Sequence, residues 1–365
     1  MRIAQVAPLY ESVPPKAYGG TERVVSWLTE ELVSLGHEVT LFASGDSMTT
    51  ARLVPCCRES LRTAPDCIDQ LAHHLVMLEK VLQEKDEFDL IHFHTDYLHF
   101  PISSRDRYLH VTTLHGRLDI PDLVPLYDIY SDMPVVSISD AQREPLPYLN
   151  WQGTVHHGFP PESYSCYTKP GKYLAFLGRT SPEKGLDRAI EIAQRAGMPL
   201  KIAAKIDKAD QEYFDSCIRP LLDSPDIEFL GEIGYPEKNE FLGEAAALLF
   251  PIAWPEPFGI VMIEAMACGT PVIAYPFGSV PEVMKDGISG YVVPDLQAAV
   301  DAVKKVHLLD RKKVRKYFER TFPSRRMAED YLRIYERLLS RKKASRAVND
   351  GVLNWMKLTS PSSTT

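Results

Sequence analysis

An α/β fold of two doubly wound domains facing a cleft is predicted by three features of this sequence. Short apolar, strand-like runs alternate with helix-length segments over nearly the whole chain, the pattern of parallel sheet covered on both faces. A turn-rich stretch at 150–172, with Gly153, Gly158, Pro160, Pro161, Pro170 and Gly171, interrupts the alternation, which restarts at 173. The length of 365 residues suits about two domains at roughly 150 residues each. The expected boundaries are 1–160 for the first domain and 161–323 for the second. A helical segment, 324–352, returns toward the first domain, and 353–365, ending Ser-Pro-Ser-Ser-Thr-Thr, reads as a loose tail.

In the first half, strands are expected at 3–7, 39–43, 90–94, 109–114 and 135–139. A helix at about 21–35 separates the first two. Val24, Val25, Leu28, Leu32 and Leu35 share its apolar face, Thr21 stands as its N-cap and Gly36 as its C-terminal stop. In the second half, strands are expected at 173–177, 200–204, 227–230, 247–250, 271–274 and 291–293. Helices fit 186–196, 237–246 and 260–267, and a helical segment at 297–340 closes the fold. Doubly wound sheets bind ligands beyond the carboxyl ends of their strands, so the cleft between the halves is the expected active site.

Composition excludes several classes. A chain that is 45% hydrophobic, 25% charged and 10% aromatic is neither disordered nor collagen-like nor a disulfide miniprotein. Lys and Arg number 41 against 49 Asp and Glu, a net charge of −8, which argues against generic nucleic-acid binding through phosphates. The longest apolar stretch, 245–254, falls far short of the roughly 20 residues of a membrane span. Residues 1–9 are strand-like and reach Glu11 without the basic start and apolar core of a signal peptide. Cys56, Cys57, Cys67, Cys166, Cys217 and Cys268 form no C-x-x-C pair, so free thiols in a reducing cytoplasm are expected. No G-x-G-x-x-G and no G-x-x-x-x-G-K-[ST] occur, which disfavours nicotinamide, flavin and P-loop enzymes. The D-x-D metal anchor of many sugar transferases is also missing. His92, His94 and His99 cluster, but strand alternation explains two of them, and structural histidines are the preferred reading over a metal site.

Two carboxylates carry the chemistry. Glu256 stands in a Pro-Glu-Pro-Phe-Gly loop at 255–259, and Glu264 lies in the helix that follows. If that helix starts near Gly259, its first N–H groups favour an anion or a sugar hydroxyl in the cleft. Glu256, held between prolines, can accept hydrogen bonds from a polyol, and Glu264 can bind a second hydroxyl pair. Taken alone, the pair reads more simply as one helix-start acid and one solvated Glu. The surrounding run changes that balance.

From Glu256 through Glu-Ala-Met-Ala-Cys-Gly-Thr-Pro-Val-Ile-Ala at 264–274, the sequence resembles the family-four glycosyltransferases. These are retaining enzymes of the GT-B fold, with two Rossmann-like domains. The resemblance implies that Glu256 and the amides around Phe258 and Gly259 hold the donor sugar, and that Glu264 holds the nucleotide ribose. A second match is Gly-Arg-Thr-Ser-Pro-Glu-Lys-Gly at 178–185. It implies that Arg179 and Lys184 converge on the donor diphosphate and stabilise the leaving group's charge. Tyr-Gly-Gly-Thr-Glu at 18–22 resembles the family's glycine pair, where Gly19 and Gly20 let the backbone approach the diphosphate or the acceptor. Thr-Leu-His-Gly at 113–116 suggests that His115 contacts the donor sugar with its carbonyl near the reacting carbon. Glu256 and His115 are thus the expected catalytic residues. Ala-Ala-Lys at 203–205 departs from the glycine that relatives often carry, so Glu232 and Ile233 become the expected base-facing loop. The resemblance runs from about residue 2 to 335 and is strongest over 175–293.

The expected activity is retaining transfer of a sugar from a nucleoside-diphosphate donor to a hydroxyl acceptor. A UDP-sugar is the first expectation and a GDP-sugar the second, with no metal and no cofactor beyond this co-substrate. A sugar phosphorylase or nucleotide-sugar epimerase on the same fold, or a non-catalytic nucleotide-sugar binding protein, are the rivals. Residues 1–150, the expected acceptor side, hold 22 Asp and Glu against 12 Lys and Arg. Such a surface is repelled by an anionic leaflet, so a soluble small molecule or glycan is the expected acceptor. Residues 301–346 hold 16 Lys and Arg against 6 Asp and Glu. This leaves peripheral membrane contact open, although a solvated helix face is preferred. No nucleic-acid partner and no membrane insertion are expected, and the expected location is cytoplasmic.

Overall fold

The computed structural model describes residues 1–16, 19–106 and 108–359, with backbone only at 235–236 and 345–359. The first half contains β1 (Arg2–Val6), β2 (Glu38–Ser44), β3 (Arg52–Cys57), β4 (Leu90–Phe93), β5 (His110–Thr113), β6 (Val135–Ser137) and β7 (Trp151–Thr154). The second contains β8 (Tyr173–Arg179), β9 (Leu200–Lys205), β10 (Ile227–Gly231), β11 (Ala245–Phe250), β12 (Val272–Ala274) and β13 (Gly290–Val292). The first sheet has seven strands in the order β3-β2-β1-β4-β5-β6-β7, and the second has six in the order β10-β9-β8-β11-β12-β13. All the pairings in both are parallel.

In each sheet the chain reverses its winding beside the first strand. β1 lies between β2 and β4, and β8 lies between β9 and β11. A crevice opens at the carboxyl ends of the strands at such a switch point. The central strands are buried because helices cover both faces. β11 is apolar and buried at every residue, whereas β1, β4 and β5 also bury Gln5, His92 and Thr113.

The Gly20–Ser34 helix buries Val24, Val25, Leu28 and Leu32 as its periodicity requires. It starts at Gly20 with Gly19 as N-cap and no side-chain cap, so Thr21 is not the N-cap. Gly19 takes φ 141, and a Cβ there would lie 2.8 Å from the Pro15 Cβ. The glycine turns the chain earlier than a capping threonine would. Tyr18 lies outside the described residues.

β3, β7 and the Gln70–Gln83 helix are not evident in the sequence. β3 carries Pro55 and is largely half-exposed, as befits an edge strand. β7 sits inside the turn-rich stretch, where Gly153 at φ 152 pairs with β6 instead of turning.

The final helix, Ser324–Thr359, packs on the Gly20–Ser34 helix and sends Tyr331 and Tyr335 into the first half, bonding to Thr113, His92 and Gln5. It continues past Leu353, where the sequence suggests a loose tail, because no proline interrupts the chain before Pro361. Residues 360–365 lie outside the described residues. Two connectors between the halves run side by side, with Phe159 N–H donating to Phe322 O at 3.1 Å and Ser324 N–H to Phe159 O at 3.1 Å. Among the described residues, no helix is long and apolar enough to cross a membrane.

Candidate active site

Two cavities, of about 450 and 350 Å3, meet in the cleft, and Gly19, Gly20, His115, Glu256 and Gly259 line both. The larger also touches Tyr10, Glu22, Asp96 and Phe258. Arg179, Lys184, Lys205, Glu232, Ile233 and Glu264 line the smaller. All the residues expected to be catalytic or to bind the donor therefore line one or both of these adjoining cavities. Ala203 and Ala204 line the smaller cavity together with Glu232 and Ile233, so the departing β9 end and the 230–233 loop share that wall.

The Glu256 loop is held by its neighbours in space. Glu256 N–H donates to Trp254 O at 2.8 Å, and its carbonyl accepts from Ser279 N–H at 2.9 Å. Ser279 Oγ–H donates to Phe258 O at 2.8 Å. Gly278, at φ 55, passes so close that a Cβ there would lie 2.4 Å from Glu256 N. Gly259, at φ 75, ends the loop and caps the Ile260–Ala267 helix. This turns the first N–H groups of that helix toward the shared wall.

Lys184 and Arg179, the cations expected at the diphosphate, are both paired with carboxylates. Lys184 pairs with Glu256 Oε2, joining the residue expected at the diphosphate to the one expected at the sugar. Its Nζ also lies 4.7 Å from the Trp254 ring centroid, and the Arg117 guanidinium lies 5.2 Å from the same ring. Arg179 faces Glu183 at 3.0 Å, Asp207 at 3.7 Å and Asp210 at 3.8 Å. Charges held this way are oriented by the protein itself, and any anionic ligand has to compete with the carboxylates for them. Nothing in the sequence singles out Trp254, although it directly precedes the Pro-Glu-Pro run.

Glu264 is buried, and its Oε1 accepts from Tyr164 O–H at 2.8 Å and from Lys238 Nζ at 3.3 Å. Neither partner is legible in the sequence, because Tyr164 belongs to the connector and Lys238 to a different helix. These two bonds converge on one carboxylate oxygen and orient the group in the wall of the smaller cavity.

His115 follows β5, and burial pushes its imidazole down to about 3, so the ring is neutral. Its Nε2 lies 2.9 Å from His94 Nδ1, and its ring stacks on His157 at 5.5 Å and 17°. Its backbone N–H donates to Asp96 Oδ1 at 3.3 Å. Asp96 adopts φ 48, and burial pushes its carboxyl up to about 6 against the pull of that N–H. Burial also pushes Glu22 up to about 7. His92, His94 and His99 are buried and hydrogen-bonded, His99 to Ser103 at 2.6 Å and to Thr112 at 2.7 Å. Among the described residues, no group of three or more His, Cys, Asp or Glu is placed to hold a metal ion.

The profile described as Glycosyl transferases group 1 matches residues 168–321, and that described as Glycosyltransferase Family 4 matches residues 18–152. The chain belongs to the family-four glycosyltransferases of the GT-B fold. It is 26% identical to the phosphatidyl-myo-inositol mannosyltransferase of Mycobacterium tuberculosis over 388 residues, covering 92% of this chain and 97% of that one. Among solved structures it resembles AviGT4, a glycosyltransferase involved in avilamycin A biosynthesis, with TM-score 0.71, 24% identity and coverage of 93% and 98%. It also resembles Anabaena HepE in complex with UDP-glucose, with TM-score 0.68, 19% identity and coverage of 93% and 100%. The two sheets and their cleft are thus those of a glycosyltransferase.

Proposed function

We propose that this glycosyltransferase takes a sugar from a nucleoside-diphosphate donor, a UDP-sugar first and a GDP-sugar second, and transfers it with retention to an acceptor hydroxyl. One observation carries the reading. Glu256, His115 and the Gly19–Gly20 pair stand on the wall shared by the two cavities, so a sugar seated there faces a nucleotide on one side and an acceptor on the other. The UDP-glucose held by HepE supports a nucleotide-sugar donor.

In this reading Glu264 holds the ribose, and Glu232 and Ile233 face the base. Glu256 accepts hydrogen bonds from the donor sugar, and Lys184 exchanges the Glu256 carboxylate for the donor phosphate. Arg179, Lys184 and the N–H groups at Gly20 and Ile260 stabilise the charge that grows on the leaving phosphate. The acceptor oxygen bonds to the anomeric carbon as the bond from that carbon to phosphate breaks. The acceptor proton passes to the leaving phosphate oxygen on the same face, so no enzyme nucleophile takes part. Protein cations supply the positive charge, and the reaction runs without a divalent ion.

The acceptor in this reading is a soluble molecule or glycan, because the acceptor-side half is acidic. It is met in the cytoplasm, whose reducing conditions suit six cysteines without a C-x-x-C pair. The test is a panel of UDP- and GDP-sugars screened by thermal shift, followed by transfer assays with NMR of the product. A product of the donor's own anomeric configuration supports the proposal. An inverted product, or turnover that requires inorganic phosphate, overturns it. Several-fold activation on anionic vesicles would overturn the soluble acceptor.

A further inference from the structure

Seven side chains form one unbroken row of hydrogen bonds from the cleft to the final helix. His115 Nε2 lies 2.9 Å from His94 Nδ1, and His94 Nε2 lies 2.8 Å from Gln5 Oε1. Gln5 Nε2 is 3.3 Å from the Tyr335 hydroxyl, which is 2.7 Å from His92 Nδ1. His92 Nε2 is 2.7 Å from Thr113 Oγ1, and Thr113 O–H donates to the Tyr331 hydroxyl at 3.0 Å. Beyond His115, every member is at most 1% exposed, so water offers no alternative partner.

Such a row has one direction, because each hydroxyl carries one proton and each neutral imidazole one N–H. The far end sets it. Thr113 gives its proton to Tyr331, so it can only accept from His92, whose N–H is therefore at Nε2. His92 Nδ1 must then accept the Tyr335 proton, which leaves the Tyr335 oxygen to accept from the Gln5 amide. The Gln5 carbonyl consequently turns to His94 and takes its Nε2–H, and His94 Nδ1 accepts the proton of His115 Nε2. Burial holds the imidazoles of His92, His94 and His115 neutral, which the row requires.

We propose that Tyr331 and Tyr335 are positioning residues through which the final helix sets the tautomer of His115. The row keeps the His115 proton on Nε2 and leaves Nδ1 bare, an acceptor for a sugar hydroxyl in the cavities that His115 lines. The use of that acceptor rests on the donor-sugar reading of the cleft, but the tautomer itself does not. The helix that closes the chain thereby determines the hydrogen-bonding sense of a cleft residue more than 200 positions earlier in the sequence.

The experiment is long-range 1H–15N NMR of the full-length, 15N-histidine-labelled protein without substrate, with His115 assigned through His115→Gln. The wild type should show His115 as the neutral Nε2–H form. In Tyr331→Phe the Thr113 proton loses its acceptor and can turn to His92 Nε2, which allows the row to reverse. The two His115 nitrogens should then move toward each other as an Nδ1–H population appears. Thr113→Val breaks the row at the same joint and carries the test if Tyr331→Phe does not fold, while Thr113→Ser should keep the wild-type pattern. His115 protonated at Nδ1 in the wild type overturns the proposal. So does an unchanged His115 pattern in a folded Tyr331→Phe or Thr113→Val. Because no substrate is present, a protein inactive with every donor refutes the transferase reading and leaves this result standing.

Discussion

Lys184→Met removes the cation that pairs with Glu256 in the cleft, and the damage should reach stability as well as donor binding. The paired side chains are only 18% and 11% exposed. Removing one partner of a fully buried pair costs about 3–5 kcal/mol, while an exposed pair is worth about 0–1 kcal/mol. At this burial the single substitution should cost about 2–3 kcal/mol, most of it from leaving Glu256 unpaired. Glu256→Gln should cost less, because Lys184 keeps its place over the Trp254 ring. In the double variant no unpaired carboxylate remains, so about 1–2 kcal/mol of the Lys184 loss should return as coupling. Denaturant melts of the four proteins measure this cycle. Titration calorimetry with UDP and GDP measures the second effect, a loss of roughly tenfold or more in affinity for a charged hydrogen bond. The Glu256 substitution should rescue stability without rescuing that affinity. Stabilities that add to within about 0.5 kcal/mol would refute the coupling, and unchanged diphosphate affinity would refute the role of Lys184.

Arg179→Ala should weaken nucleoside diphosphates more than nucleosides in the same calorimetric assay, because the proposed contact of its guanidinium is to phosphate rather than to base or ribose. If, as proposed, protein cations neutralise the leaving group, transfer should persist in EDTA; activity that vanishes and returns with magnesium or manganese would contradict this. Gly278→Ala places a Cβ 2.4 Å from Glu256 N at a φ of 55, so it should depress transfer while far-UV circular dichroism stays native. Wild-type turnover would show that the loop does not position Glu256. Glu282 bridges the halves, accepting from Asp140 N–H and Ala141 N–H at 2.7 Å and from His156 at 3.1 Å. Burial raises its carboxyl pKa, but these donors outweigh burial and hold it below the usual range. A depressed folded pKa gives stability above the unfolded value that is lost as pH falls through the folded one. The Tm gap between wild type and Glu282→Gln should therefore be full at pH 7 and close under acid; a gap independent of pH would count against this.

Features carried by neighbouring residues were legible. Apolar runs a strand long, separated by amphipathic helices, define both sheets, and the helix of 260–267 lies where its sequence places it. The Pro-Glu-Pro-Phe-Gly loop, the Gly-Arg and Glu-Lys-Gly runs, and His115 after its strand could be read because each is a short contiguous stretch at a strand end. The edge strands β3 and β7 were hidden because a half-exposed strand with Pro55, or with Gly153, has the composition of a turn.

By itself, then, the sequence determined most strands of the two sheets, since periodicity acts within a few positions, but left the edge strands β3 and β7 and the strand order to the structure. The motifs that carry the family resemblance marked the residues that line the cleft. Tertiary structure alone decided how those residues are paired. Lys184 meets Glu256 across 72 positions, Tyr164 meets Glu264 across 100, and His92 meets Tyr335 across 243. No local period encodes such contacts. They follow from which layers the chain stacks together, and burial then leaves each polar group only the partners that the packing provides.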